Sequence, residues 1–424
     1  MGFPFSDPNL HTDRALGTVD PAGDHNAVAA EVEAIEHMLG YNTTSALTPT
    51  KWRFSGGTLQ KQDPGSTSWS NFLIRGLNFG PTPPGFNPNV GMPYDGMSNL
   101  SQVKWFAEQF SAVHGNCIRT YFAQNPSSGS QGPMGMSDIY VWRKALDILY
   151  AHGIYVLIDV YVNFYSVYNT PALLSWYQNS SAQAMLKAVA AFKDHPAVIG
   201  YLFGNENNAS YTIQSPTWTL AKWWAYANKV GGEIKQLDTN HIVGISSGMS
   251  SDGSISDCLA AENGGLLTNF DFHGSNTYRG GAWVKPIEGT TDFFSQWTPS
   301  NNKPIIITET GVDAFNNSTG LVDQATQASA TQNLWNTFDQ TKCPGIFFLA
   351  SNDEYWKTGT SGTTGDNATV HGTSGEAANS DSFYVTPDQF ANEQYWGWWT
   401  VMDSMPYANP PTARTVVSAM GSTW

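Results

Sequence analysis

Between residues 72 and 350, eight short runs rich in β-branched and aromatic residues alternate with longer stretches of helical periodicity, which sharply limits the folds open to this chain. The runs are Phe72–Asn78, Asn116–Tyr121, Tyr155–Val160, Val198–Phe203, Ile242–Ser246, Asp271–Asn276, Pro304–Thr308 and Gly345–Ala350. Helical stretches between them include Leu100–Val113, Tyr140–His152, Ser181–Lys193, Leu220–Leu237 and Gln324–Asp339. Strands separated by helices cannot pair as tight hairpins, so the sheet is parallel. Eight of them suit closure better than an open sheet, which predicts an α/β chain folded as a (β/α)8 TIM barrel.

The flanks differ from this pattern. Residues 1–50 read as an N-terminal extension and residues 51–424 as the barrel domain. In the extension, Asp24 caps one short helix running to about Leu39, with Gly40 as its stop. Val28, Val32, Ile35 and Leu39 form an apolar seam on it. Such a helix either packs on the barrel or self-associates into a homo-oligomer. Trp52–Phe54 and Thr58–Gln60, joined by Gly56-Gly57, read as a hairpin. The Gly-, Ser-, Thr- and Asn-rich stretch from Trp356 to about Ser382 reads as a loop insertion from the catalytic face. Trp396–Val401 and a displaced last helix, Thr412–Met420, then close the domain.

Composition narrows the partners. The balance of 20 basic against 35 acidic residues, formally −15, disfavours nucleic acid and anionic membrane, which need clustered Lys and Arg. Charged residues are 13% of the chain and aromatics another 13%, including 16 Trp and 18 Tyr. Indoles and phenols in that number suit stacking on flat polar ligands such as sugar rings, although core packing accounts for many of them. Cys117, Cys258 and Cys343 have neither metal-ligand spacing nor a disulfide framework and read as buried thiols. No metal or cofactor is expected. No apolar run reaches transmembrane length, and the first residues lack the basic and apolar regions of a signal peptide. Either export does not use that route or a leader has been removed.

Barrel chemistry gathers at the C-terminal ends of strands, where the βα loops converge. Glu206 follows the fourth run in Gly204-Asn205-Glu206-Asn207, and Glu309 follows the seventh in Glu309-Thr310-Gly311. Two glutamates on one rim are what glycoside hydrolysis requires. One carboxylic acid protonates the leaving oxygen and one carboxylate attacks the anomeric carbon.

Here the chain resembles the clan A retaining glycoside hydrolases, whose acid/base follows strand four in an Asn-Glu pair and whose nucleophile follows strand seven. Arg119 falls at that clan's strand-two Arg, Asn276-Thr277-Tyr278 at its strand-six Asn-x-Tyr, and Trp356 at its strand-eight aromatic. The resemblance implies that Asn205 bonds the sugar 2-hydroxyl, Arg119 and Tyr278 hold Glu309, and Trp356 floors the reacting subsite. Phe122, Tyr161, Phe164, Tyr165, Trp176 and Trp283 are further candidates for a glycan cleft. His273 is either a donor behind the site or a satisfied core histidine. Asp159 bonds a sugar hydroxyl or another loop, and Arg279 is the one obvious spare cation.

In motif order the chain is most similar to fungal β-1,3-glucanosyltransferases and bacterial β-1,3-glucanases. Phe72-Leu73-Ile74-Arg75-Gly76, Gly153–Asp159, Gly204-Asn205-Glu206 and Asp271–Tyr278 carry that similarity. The −15 charge and the aromatics point to a neutral β-linked polysaccharide or oligosaccharide substrate, and the similarity puts β-1,3-glucan first. The fungal enzymes carry a disulfide framework that three cysteines cannot reproduce. A β-1,4-glucanase, a mannanase or a transglycosylase on the same site is the alternative within the clan. Outside enzymes, the alternative is a virion-associated glycan-binding barrel, since the stretch Gly23–Gly40 also resembles short N-terminal segments of phage tail-associated proteins. Retention of both Glu206 and Glu309 argues against a barrel without catalysis.

Overall fold

In the computed structural model the described residues are 47–83, 96–121, 136–160, 162, 180–209, 219–284, 291–316, 318–355, 393–402 and 410–424. Eight parallel strands close into a barrel: β1 (Ile74–Asn78), β2 (Cys117–Arg119), β3 (Tyr155–Val160), β4 (Val198–Phe203), β5 (Ile242–Gly248), β6 (Phe272–Asn276), β7 (Ile305–Thr310) and β8 (Gly345–Phe348). Each pairs with its neighbours in sequence, and β8 returns to β1 with Gly345 opposite Ile74 and Phe348 opposite Leu77. The expected (β/α)8 architecture is the one observed.

Helices α1 (Leu100–Ala112), α2 (Met136–Ala151), α3 (Ser180–Phe192), α4 (Leu220–Leu237), α5 (Asp252–Asn263), the short α6 (Phe293–Gln296), α7 (Gln324–Thr337) and α8 (Thr415–Gly421) accompany the strands. The sequence of α4 shows why it is helical and how it docks. Thr219 caps its first turn by accepting a hydrogen bond from the Lys222 amide. Trp223, Ala227, Val230 and Ile234 are buried at helical spacing and face the barrel wall. The displaced last helix, α8, docks on α7. Gln332 Nε2 donates to the Ala419 carbonyl at 3.1 Å and to Thr423 Oγ1 at 2.9 Å.

The strands divide the core in two. Outward residues such as Ile118, Val156, Ile158, Ile305 and Ile307 meet the helices. Inward residues Ile74, Cys117, Tyr155, Leu157, Ile242, Phe272, Ile306 and Phe347 fill the lower lumen, so the barrel is a packed core there. All three cysteines are buried free thiols, as the sequence implied.

The hairpin Lys51–Ser55 and Thr58–Gln62 lies under the N-terminal end of the barrel, with Ser70–Asn71 as a third strand. Trp52 is its plug. Its indole donates to the Val198 carbonyl at 2.9 Å and meets Phe72 and Tyr155 edge-on, each with centroids 4.9 Å away. This closes the N-terminal end of the barrel.

The proposed helix from Asp24 to Leu39, the insertion after Trp356, and the aromatics Phe122, Tyr161, Phe164, Tyr165 and Trp176 lie outside the described residues.

Candidate active site

Strand seven solves a geometric problem. Ile306 points into the lumen, so strict alternation would place Thr308 inward and Glu309 outward. The pairing with β6 runs Ile305 to His273, Ile306 to Gly274 and Ile307 to Ser275, then jumps to Glu309 opposite Asn276. This register shift is a bulge, which re-aims a side chain at the cost of one unpaired residue. Thr308 stays inward, where its hydroxyl donates to Asn276 Oδ1 at 2.8 Å. Glu309 also turns inward and is 6% exposed.

Three groups hold the Glu309 carboxylate. Arg119 Nη1 and the Tyr121 hydroxyl each donate to Oε1 at 2.9 Å, and the Tyr278 hydroxyl donates to Oε2 at 2.7 Å. Burial, then the Glu309 charge, pushes both phenols well above the usual tyrosine range, so they act as proton-bearing donors. Trp396 stands edge-on to Tyr278, with centroids 4.7 Å apart, and braces that ring with Leu349 and Ala350.

Arg119 is fully buried at the end of β2 and serves several partners at once. Its Nε and Nη2 both donate to Asp159 Oδ2, at 2.9 and 2.6 Å. Nη2 also reaches Asn205 Oδ1 at 2.8 Å. Nη1 reaches the Thr308 carbonyl at 3.1 Å and Asn276 Oδ1 at 3.3 Å. Asn276 completes the ring by donating from Nδ2 to Asn205 Oδ1 at 2.8 Å. Both donors fall on the oxygen of Asn205, which fixes its amide and leaves Nδ2 as the hydrogen-bonding group it can offer a ligand.

Glu206 sits on a left-handed turn. Gly204 has φ +82° and Glu206 itself φ +54°, a conformation that costs a non-glycine residue about 1–3 kcal/mol. Two asparagines hold that turn. Asn207 Oδ1 accepts from the Asn205 amide at 2.9 Å while its Nδ2 donates to the Val162 carbonyl at 2.9 Å. Asn208 clamps Gly248 of β5 through both its amide atoms, at 2.8 and 2.9 Å. The Glu206 amide reaches the Ser246 carbonyl at 3.2 Å. Glu206 also acts on Tyr278, the residue bonded to Glu309, and pushes its phenol further up, so both carboxyl groups bear on one ring.

Of the residues singled out in the sequence, Glu206, Glu309, Asn205, Arg119, Asn276 and Tyr278 come together. Arg119 and Asn276 are fully buried behind the others and position them instead of lining a sugar subsite. His273 does not join the site. It points outward from β6, with Nδ1 against Glu262 Oε1 and Nε2 against Ser247 Oγ, each at 2.9 Å, and Trp297 on its ring. Glu262 is in turn paired with Lys303 at 2.7 Å, so His273 belongs to a satisfied polar cluster under the helices. Trp283 is likewise core, 3% exposed, with its indole donating to the Leu334 carbonyl and its ring against Phe293 and Phe294. Arg279 is no spare cation: it is 1% exposed, bonded to Thr277 Oγ1 and facing Asp252 and the Phe293 ring. Trp356 lies outside the described residues.

Sequence reasoning missed Tyr121, Asn78, Asn207, Asn208 and Trp396. Tyr121 follows Arg119 by two residues and shares its side of β2, a signal that was available. Asn78 ends β1 and donates to the carbonyls of Thr308, Phe347 and Phe348, stitching β1 to β7 and β8. Among the described residues, no group of three or more His, Cys, Asp or Glu is arranged to hold a metal ion. No described helix is long and apolar enough to cross a membrane.

Residues 61–320, well over half of the chain, match glycoside hydrolase family 72, the glucanosyltransferases. The chain belongs to that family. No curated protein sequence matches it. Among solved structures it is similar to an FMN-binding β-glucuronidase from Faecalibacterium prausnitzii, with a TM-score of 0.53 and 13% identity over 88% of this chain and 46% of that one. A β-D-glucuronidase from Dictyoglomus thermophilum gives 0.52 and 15% over 88% and 53%. Gas2 of Saccharomyces cerevisiae, solved with laminaritetraose and laminaripentaose, gives 0.46 and 15% over 89% and 67%. The chain spans about half the length of the two glucuronidases. At these identities the likeness to the two glucuronidases is one of fold.

Proposed function

We propose that this chain is a retaining enzyme that cuts neutral β-linked glucan, β-1,3-glucan first, and passes the glycosyl unit to water or to a second glucan chain. The observation that carries the reading is the Glu309 carboxylate, turned inward by a bulge and held by Arg119, Tyr121 and Tyr278, on the same rim as Glu206. In this reading Glu309 attacks the anomeric carbon. Glu206 protonates the leaving oxygen and then, as a carboxylate, removes a proton from water or a sugar hydroxyl. Asn205 offers Nδ2 to the sugar 2-hydroxyl, a bond that strengthens as the oxocarbenium-like transition state forms. The 1,3-linkage rests on family membership and on motif order. The −15 charge disfavours uronic-acid polymers.

Residues 1–50 are proposed as a helical extension to a catalytic domain of residues 51–424, with Val28, Val32, Ile35 and Leu39 as a seam that either packs on the barrel or joins copies into a homo-oligomer. The test of function is a panel of laminarin, cellooligosaccharides, mannooligosaccharides and oligogalacturonate with product sizing. Products longer than the laminarioligosaccharide supplied mean transfer, and shorter products alone mean hydrolysis. Turnover of oligogalacturonate with none of laminarin would refute the reading.

A further inference from the structure

The buried ion cluster has an arithmetic that one nucleophile does not explain. Arg119 is a single cation at 0% exposure, and two carboxylates, Glu309 and Asp159, are hydrogen-bonded to it. Asp159 is also 0% exposed, so it does not face the cleft. It comes from the inward side of β3, one inward position above Leu157. Both contacts from Arg119 fall on Oδ2. Burial and then the Glu309 charge push the Asp159 carboxyl up to about 7 in the free enzyme, against the pull of Arg119, and esterification of Glu309 removes the second of these pushes, so Asp159 holds its charge more firmly in the intermediate.

The chemistry proposed above gives Asp159 a task. When Glu309 attacks, its oxygen bonds to the anomeric carbon, the bond from that carbon to the leaving oxygen breaks, and the electron pair departs with the leaving group. The proton comes from Glu206. Glu309 is then a neutral ester, and Arg119 has lost one of its two carboxylates. Its other acceptors, Asn205, Asn276 and the Thr308 carbonyl, are uncharged. A fully buried guanidinium without a counter-charge is among the costliest arrangements a core can hold.

We propose that Asp159 is a positioning residue whose charge balances Arg119 in the glycosyl-enzyme, so that it stabilises the covalent intermediate and the transition state leading to it without touching substrate. The inference rests on the double-displacement reading. It predicts an unequal effect on the two half-reactions. Asp159→Asn leaves Arg119 paired with Glu309 alone in the free enzyme, which restrains the nucleophile, and unpaired in the intermediate, which raises its energy. Formation of the intermediate slows, whereas its breakdown, which restores the Glu309 charge beside Arg119, does not.

The probe is 2,4-dinitrophenyl 2-deoxy-2-fluoro-β-laminaribioside, which needs no acid assistance and lets the glycosyl-enzyme accumulate. Two rates are read on wild type and variant: inactivation, and reactivation on adding laminaribiose. For Asp159→Asn, inactivation is expected to slow by about a hundredfold or more, with reactivation unchanged or faster. Equal slowing of both rates, or inactivation within about threefold of wild type, would overturn the inference. Should Asp159→Asn fail to fold, Asp159→Glu keeps the charge and is expected to hold the ratio of the two rates within about tenfold of wild type. A hundredfold change in that ratio would count against the proposal. Mass spectrometry separates the two levels of the argument. A wild type that carries no adduct on Glu309 defeats the double-displacement reading itself, and an adduct on wild type with no rate asymmetry in the variant defeats the role of Asp159 alone.

Discussion

Replacing Arg119 with Met keeps most of the side-chain volume and deletes the guanidinium. The loss is large because of what remains. Asp159 at 0% exposure and Glu309 at 6% are left facing each other without the cation that now lies between them. Breaking a buried ion pair by removing one partner costs about 3–5 kcal/mol, a large part of the 5–15 kcal/mol by which a domain is stable. The penalty also carries a pH signature. The folded Asp159 carboxyl, pushed up to about 7, lies above its unfolded value near 3.9. Its ionisation therefore weighs against folding as pH rises from about 4 to 7 and weighs fully above that. Without Arg119 the folded value climbs further, so the variant loses stability more steeply with rising pH. Urea denaturation followed by tryptophan fluorescence at pH 5 and pH 8 measures both. The gap between wild type and Arg119→Met is expected to be several kcal/mol at about pH 8 and smaller at about pH 5. A gap under about 1 kcal/mol at the higher pH, or one that narrows on going there, would refute the electrostatic account of this cluster.

Other variants isolate other parts. Tyr278→Phe removes the 2.7 Å bond to Glu309 Oε2 and should lower kcat/KM by about 10- to 100-fold with little change in stability; unchanged kinetics would remove Tyr278 from the nucleophile's support. Trp52→Ala opens the bottom plug far from the rim and should cost about 3–5 kcal/mol in urea denaturation while kcat/KM at low temperature holds; a matching loss of activity would contradict the separation of the two ends. Glu309→Ala should abolish turnover on all substrates, whereas Glu206→Ala should retain dinitrophenyl glycosides and regain rate with azide, and loss of both activities alike would undo the division of roles.

The barrel was legible because its strands repeat a strong local signal. Tyr155–Val160 and Val198–Phe203 match their strands end for end, and α4 matches Leu220–Leu237. Helix α5 was not legible. Its buried stripe is Ile255, Cys258 and Ala261, too weakly apolar to stand out, and it begins with a capping box in which Ser254 stands where Glu or Gln is usual. At the site, Glu206 and Glu309 were readable as strand-end residues, yet the alternation of β7 would have turned Glu309 outward. The bulge that corrects it is a pairing event between β7 and β6, and no local pattern in Ile305–Thr310 announces it. His273 shows the converse. Its motif neighbours Asn276 and Tyr278 face inward, whereas the period of β6 sends His273 to the helices, where Glu262 and Ser247 satisfy it. Asn207 and Asn208 carry no catalytic signature, because an asparagine that holds a left-handed turn looks in sequence like any loop residue.

The central claim is that Glu309 forms a covalent glycosyl-enzyme that Glu206 then resolves, and the stereochemistry of the first product tests it most directly. Proton NMR of a laminarioligosaccharide digest, recorded before mutarotation sets in, reads the configuration of the newly released reducing end. The account predicts the β-anomer first, with the α-anomer growing in at the spontaneous rate. An initial α-anomer would mean a single displacement by water, with carboxyls about 6.5–9.5 Å apart, and would contradict the assignment of Glu309 as nucleophile.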